Sequence, residues 1–431
     1  MSIEEIKLTK DQIYAFEKMK NGSNLFITGA AGTGKSTLIN EFRKYTRKKG
    51  SIIALTSTTG ISALNIGGKT IHSWAGILLG KDPIDKIISG MSSLAKNRWL
   101  STDILIIDEI SMLNPDIFDL LNEIGKRIRS KFDDTGLRSK PFGGIQVIVT
   151  GDFFQLPVVK CDKLCFNAKT WSETISETIE LKEIVRQQDP LFINVLKKIR
   201  KGIVDDSVKE VLTSRLTDKD IVVNGIKPSI LHSKNIKVNE INILELNKLI
   251  KNGAETHVYK TKVTIKYNRN KLDISKFLDE PVPEVITLAV GAQIIFKKNI
   301  DNEIANGTMG YVTSFEHDTD IFGKELDNII PVITLTNGSK RRIRPFPFEY
   351  KTDEYFFIKE QLPLKLGWSI SIHASQGSTV DLLEVNINDD IFEFGQAYVA
   401  ISRSRTLDGL YIRSLDFDKF IANPAVIDYF E

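Results

Sequence analysis

Four short apolar runs, at residues 25–28, 51–57, 104–108 and 145–150, punctuate the first third of the chain. Each is nearly continuous in Ile, Leu, Val, Phe or Ala, the pattern of a strand covered on both faces rather than on one. Between them lie longer polar stretches with apolar residues at helical spacing. Ile13, Phe16 and Met19 set one such stripe over residues 7–20, and residues 35–48 carry another. Strand alternating with helix predicts a parallel sheet with helices on both sides. The polar tract 131–141 reads as a surface loop. Beyond Arg186 the rhythm changes. Residues 190–200 and 237–251 predict helices, with a short strand at 229–232 between them. From 255 to 360 brief β-like runs (285–288, 292–296, 332–335) are broken by Gly, Pro, Asn and Asp, the spacing of a small β-rich module. Residues 366–384, 395–404 and 410–413 return to α/β character.

The first strand runs into Gly29-Ala30-Ala31-Gly32-Thr33-Gly34-Lys35-Ser36, a complete G-x-x-x-x-G-K-S between predicted strand and predicted helix. Glycines there let backbone N–H groups turn inward around phosphates, and the helix N-terminus adds partial positive charge. Lys35 is placed to reach the terminal phosphates of ATP, and the Ser36 hydroxyl to sit on Mg²⁺. Gly29, Gly32, Thr33, Gly34 and Thr37 complete the expected nucleotide cradle. The third strand ends in Asp108-Glu109, which a parallel sheet delivers to the same edge as the loop. Asp108 is the expected second Mg²⁺ partner, and Glu109 suits the orientation of an attacking water. Alone, an Asp-Glu pair would be better read as capping the next helix; its place after the phosphate loop favours chemistry. Gln155, just past the fourth strand, is a candidate sensor of the terminal phosphate.

Composition narrows the class. With 42% hydrophobic and 26% charged residues, 431 residues suit a globular chain of about two to four domains. A net charge of +3 means that any polyanion must be held by a local surface. The first residues have no apolar core behind a basic start, as a secretory signal would, and no run reaches the ~18–20 apolar residues that span a bilayer. Cys161 and Cys165 lack a second pair or nearby histidine, so they read as reduced thiols in an intracellular protein, cytoplasmic or nuclear according to its source.

Taken together the motifs resemble those of the petite-integration-frequency (Pif) helicases, superfamily-one motors that run 5′→3′. The resemblance covers the chain from Leu8 to about Ile412. Leu8-Thr9-Lys10-Asp11-Gln12 is similar to the family's adenine-reading segment, with Gln12 as base contact. Ser57 to Leu64 and Gly68 to Trp74 resemble a DNA-gripping segment and a small wedge element. Pro141-Phe142-Gly143-Gly144-Ile145-Gln146, leading into Gly151 to Pro157, resembles the stretch most particular to the family. The resemblance aligns Arg186 and Arg403 with two arginines that reach the γ-phosphate, and gives Gln376 a place in the catalytic set. It implies Thr58, Gly60, His72, Trp74, His373 and Ser375 as DNA-binding residues. Val158 and Ala374 depart from the pattern, where a proline and a lysine are usual.

The fold so implied is α/β, two RecA-like domains with parallel sheets, a wedge and a β-barrel insert in the second domain. The expected division is 1–57 with 76–186, wedge 58–75, 187–254 with 361–431, and insert 255–360. Expected partners are single-stranded and forked or structured DNA, G-quadruplexes among the candidates, and no membrane; the expected state is a monomer in solution, with oligomers on DNA left open. Trp74 and Trp368 could stack on bases or fill core, and Lys340-Arg341-Arg342-Arg344 could hold DNA or form a solvated edge. A small-molecule kinase would share the loop without needing Gln376 and Arg403. A RecD-type or conjugative helicase, or an ATP-gated DNA-binding switch, would share more.

Overall fold

The computed structural model describes residues 8–130, 136, 139–158, 161–187, 189–232, 235–268, 282–301, 303–320, 322–351, 355–372, 375 and 378–431. Most of the tract 131–141 and the residues His373, Ala374 and Gln376 therefore lie outside the described residues.

Six parallel strands make the first sheet, in the order Lys69–Thr70, Ile53–Ser57, Ile104–Asp108, Gln146–Gly151, Leu25–Gly29, Glu177–Leu181. Every residue of Leu25–Gly29 and Ile104–Asp108 is buried, which is why these runs are apolar without alternation. One face carries Ala15, Met19, Leu38, Ile39 and Phe42 from the helices Lys10–Lys20 and Lys35–Lys49. The other face packs Phe118, Leu121, Ile124 and Ile128 of the helix Pro115–Arg129. That helix starts at Asn114, whose side chain accepts from Asp116 N–H, with Pro115 at its first position. The stretch 58–75 is built onto the sheet's edge through Lys69–Thr70, followed by the helix Ile71–Ala75.

A second parallel sheet runs Ser369–Ser371, Ser229–His232, Leu383–Ile387, Leu410–Leu415. Its core holds Phe192, Val195 and Ile199 from the helix Pro190–Arg200, and Tyr398 to Ile401 from the helix Gln396–Ile401. Between Thr256 and Leu366 the strands are antiparallel. Five of them order as Lys340–Arg342, Glu325–Leu335, Met309–Thr319, Gln293–Phe296, Leu364–Leu366, beside a three-stranded and a two-stranded sheet. Among the described residues the strands of this five-stranded sheet do not close on themselves.

One element departs from the expected division. The helix Pro424–Phe430 follows the last strand of the second sheet but packs on the first lobe. Val426 is fully buried there, Phe430 stacks on Phe154 at 5.6 Å and Tyr429 on Phe166 at 4.3 Å. The reason is apolar spacing: Val426, Ile427, Tyr429 and Phe430 need a cover that the first lobe's aromatic cluster provides.

Candidate nucleotide site

The phosphate loop joins the strand Leu25–Gly29 to the helix Lys35–Lys49, as its sequence predicts. Gly32 sits at φ +86°, and a Cβ there would come within 2.7 Å of Arg186 Cβ and 2.8 Å of Gln187 Oε1. Only glycine fits a loop gripped so closely from outside. Lys35 Nζ donates to the carbonyls of Gly29 at 2.6 Å and Ala30 at 3.1 Å, across the loop's own bight. Burial pushes its pKa down, while Asp152, Glu109 and Asp108 pull the other way. Gln12 donates from Nε2 to Thr33 O at 3.0 Å and, with Thr9, forms a reciprocal cap on the helix Lys10–Lys20. The adenine-reading candidate is thus tied to the loop itself.

Asp108 ends its buried strand and accepts the Thr150 hydroxyl at 2.5 Å. Burial raises its pKa, against the Thr150 hydrogen bond and the charge of Lys35. Glu109 follows in a left-handed conformation, φ +56°, unusual for a residue with a side chain and found where geometry is imposed by surroundings. Burial first, then the neighbouring Asp108 carboxylate, raises the Glu109 pKa to about 7; Lys35 and Arg403 oppose it. Arg403 is 1% exposed. Its Nε donates to Val399 O at 3.0 Å, Nη1 to Ser375 O at 3.2 Å and Nη2 to Ser402 Oγ at 2.8 Å. Arg186 lies close enough to Arg403 that burial and this like charge lower its pKa to about 10. The two guanidinium groups repel each other, and Glu109 offsets part of that repulsion for both.

These groups line or back a cleft of about 1190 Å³. Ser36, Thr37, Asp108, Glu109 and Arg186 form one wall, and Thr379 and Arg405 of the second lobe face them. Lys298, Asn306 and Phe346 reach the same cleft from the antiparallel sheets. Hard oxygen donors, the Ser36 hydroxyl and Asp108 carboxylate, suit Mg²⁺. A partly buried lysine held across the loop at a helix N-terminus suits phosphate. The residues present fit a nucleoside triphosphate with its metal.

Gln155 is buried, with Nε2 donating to Asp152 Oδ2 at 3.3 Å. Asp152 itself is ion-paired with Arg200 at 2.9 Å, both buried, and Arg200 lies over the Phe154 ring at 4.7 Å. Asp152's charge and hydrogen bond keep the Arg200 pKa raised although burial works against it. Neither Arg200 nor Thr150 is legible in the sequence. Their partners lie 48 and 42 residues away, and no motif flags them. Arg405 and Gln187 stand beside recognised motif arginines, which was the available signal.

The DNA candidates divide. Thr58, whose hydroxyl donates to Glu109 O at 3.1 Å, Gly60 and the partly exposed His72 cluster near the ends of Ile53–Ser57 and Lys69–Thr70. Trp74 is corrected: it is 4% exposed and lies 4.6 Å from the Trp99 ring, so no face is open to a base. Ser375 is corrected too, its hydroxyl buried and donating to Ile372 O at 2.8 Å. Trp368 packs against the core of the antiparallel sheets. In the basic cluster Arg341 pairs with Glu303, Arg342 with Glu316 at 3.5 Å and Arg344 with Asp318 at 2.8 Å, as a solvated edge would.

A phosphate loop and carboxylate pair on one parallel sheet, faced by arginines rooted at a second, define a two-lobed P-loop protein of the RecA-like kind. The family model described as PIF1-like helicase matches residues 5–210. The chain is 36% identical to the ATP-dependent DNA helicase PIF1 of Xenopus laevis over 99% of its own length, and spans 64% of that protein. The crystal structure of the Candida albicans Pif1 helicase superposes with a TM-score of 0.75 at 34% identity, covering 99% of both chains. The Bacteroides Pif1 helicase in complex with ADP-AlF3 and ssDNA gives 0.64 at 29%, covering 99% of this chain and 97% of that one. The chain belongs to the PIF1-like helicase family.

Proposed function

We propose that this chain is an ATP-dependent DNA helicase that moves 5′→3′ along single strands, using ATP with Mg²⁺. The observation that carries the reading is the gathering of Lys35, Glu109, Arg186 and Arg403 from both lobes at one cleft. Support comes from the Xenopus laevis relative, an ATP-dependent DNA helicase, and from the Bacteroides relative in complex with ADP-AlF3 and ssDNA.

The loop amides and Lys35 bind the phosphates, and Ser36 and Asp108 would hold the ion. Held there, Mg²⁺ would supply positive charge to the phosphate oxygens. Glu109 orients the attacking water and draws off its proton. Arg186 from the first lobe and Arg403 from the second add guanidinium charge, an effect worth about 10³–10⁵ in rate in related NTPases. Because Arg403 is rooted in the second lobe, turnover is fast only when the lobes close. Closing and opening then alternates the spacing of two DNA-holding surfaces. Thr58, Gly60 and His72 are the described candidates for gripping the strand through phosphate, which ignores sequence as a translocating motor must.

The proposed division is a first RecA-like lobe from 1–57 and 76–186, completed by the helix Pro424–Phe430. The wedge is 58–75, the second lobe takes 187–254 and most of 361–431, and the insert is 255–360. Forked DNA and G-quadruplexes are the structured substrates to try, with the protein entering as a monomer.

Two otherwise identical duplexes, one with a 5′ and one with a 3′ single-stranded tail, test the reading. Unwinding of the 5′-tailed duplex alone is expected, with ATP turnover strongly stimulated by single strands. Arg403→Ala should lower turnover by about 10³-fold or more while nucleotide still binds. Unstimulated turnover, or unwinding from the 3′ tail alone, would overturn it.

A further inference from the structure

The phosphate loop is touched by the second lobe at a point that the catalytic roles above leave unused. Ala31 N–H, the third residue of the loop, donates to the Tyr398 hydroxyl at 2.9 Å, and both groups are buried. Tyr398 is 2% exposed, and burial, helped by Asp152, pushes its pKa up to about 12, so the hydroxyl stays neutral. It stands on the helix Gln396–Ile401, which leads straight into Arg403 and accepts Arg403 Nε at the Val399 carbonyl. One rigid turn of chain thus carries a contact to the loop and the arginine beside Glu109.

The next loop residue is held from the other side. Val185 and Arg186 both donate their N–H groups to Gly32 O, at 2.9 and 3.2 Å. Gln187, 3% exposed, lies against Gly32 and donates from Nε2 to Ser404 O at 3.5 Å, so it too bridges loop and second lobe. Its Oε1 is buried without a hydrogen-bond partner among the described residues. Buried polar atoms without a partner are uncommon in folded proteins.

We propose that Tyr398 and Gln187 are positioning residues forming one clasp on Ala31–Gly32, which sets how far Arg403 stands from the phosphates and so couples lobe closure to the loop. This rests on the ATPase reading above. Neither side chain has to touch substrate; each acts through the loop and through Arg403.

Tyr398→Phe removes the hydroxyl and keeps the ring. In the full chain with saturating oligo(dT), kcat for ATP should fall roughly tenfold while KM changes by less than about twofold. A role in general packing would instead lower the melting temperature and leave no such split. Should the variant melt lower, turnover is read below both transitions. Gln187→Ala should give the same split, and the double variant should lose no more than the worse single, since one clasp breaks once. Amide hydrogen exchange over residues 29–36 supplies a readout independent of turnover. Exchange at Ala31 should quicken by roughly tenfold in Tyr398→Phe without nucleotide. Unchanged exchange overturns the clasp even if the wild type proves not to be a DNA-stimulated ATPase. Unchanged kcat, a rise in KM alone, or multiplicative loss in the double variant overturns it as well.

Discussion

Glu109 is the residue at which function and stability pull in opposite directions. Its carboxyl is enclosed beside Asp108, and its native pKa of about 7 lies above the ordinary 4.5. The protonated native form is therefore favoured. The stability that this contributes is fully present below pH 4.5 and is lost as pH rises through about 7. A shift of that size is worth about 3 kcal/mol. Glu109→Gln keeps the shape and removes the titration. In EDTA and without nucleotide, its melting temperature should exceed that of wild type at pH 8.5, with the gap closing towards pH 4.5, while ATP turnover is abolished. A wild type that melts as high as the variant at pH 8.5 would show that the carboxylate carries no such strain. Asp152, with no exposed surface, is ion-paired with Arg200 at 2.9 Å.

Among the elements, those with strong local signals stood out in the sequence. The phosphate loop, the four apolar strands and the helices at 190–200 and 237–251 all declare themselves through period, glycine or a strand end. The strand Glu177–Leu181 does not. It is half exposed, its pattern is weak, and it exists because Leu25–Gly29 offers it a parallel edge. The long pair Met309–Thr319 and Glu325–Leu335 was legible only at its apolar end, since its outer half is solvated. The residues proposed for catalysis stand in contiguous motifs, whereas Trp74 misled because an aromatic in a DNA-gripping segment and one in a core look alike. The helix Pro115–Arg129 shows where local rules give the wrong sign. Gly125 lies mid-helix, where alanine ordinarily gains about 1 kcal/mol. Here a Cβ would come within 2.7 Å of the Phe142 backbone, itself fixed at φ +51° with its N–H donated to Asn122 Oδ1 at 2.7 Å. Gly125→Ala should therefore destabilise by about 1–3 kcal/mol, seen as a lower urea midpoint. A higher midpoint would mean that the Pro141–Gly144 turn yields more readily than its contacts imply.

For the whole molecule, the helix Pro424–Phe430 matters more than its length suggests, because it brings chain from the second lobe back onto the first. Its anchor is Val426, with no exposed surface, among the first lobe's aromatic residues. Val426→Asp would bury an unpaired charge, at a cost of several kcal/mol, enough to release the helix. Limited trypsin digestion should then cut sooner after Lys419, and Trp171, whose Nε1 donates to the Tyr429 hydroxyl at 3.1 Å, should change its fluorescence. Digestion at the wild-type rate would indicate that the helix contributes nothing to the first lobe's surface.

With that helix in place, the polypeptide passes between the lobes twice: outward after Leu181 and homeward after Leu415. A door hung on two pins swings about the line joining them and resists being wrenched across it. The same constraint would steer each swing along one arc, so that the work of a stroke is spent on displacement rather than on twist. It would also keep the two halves together after a single nick in either crossing.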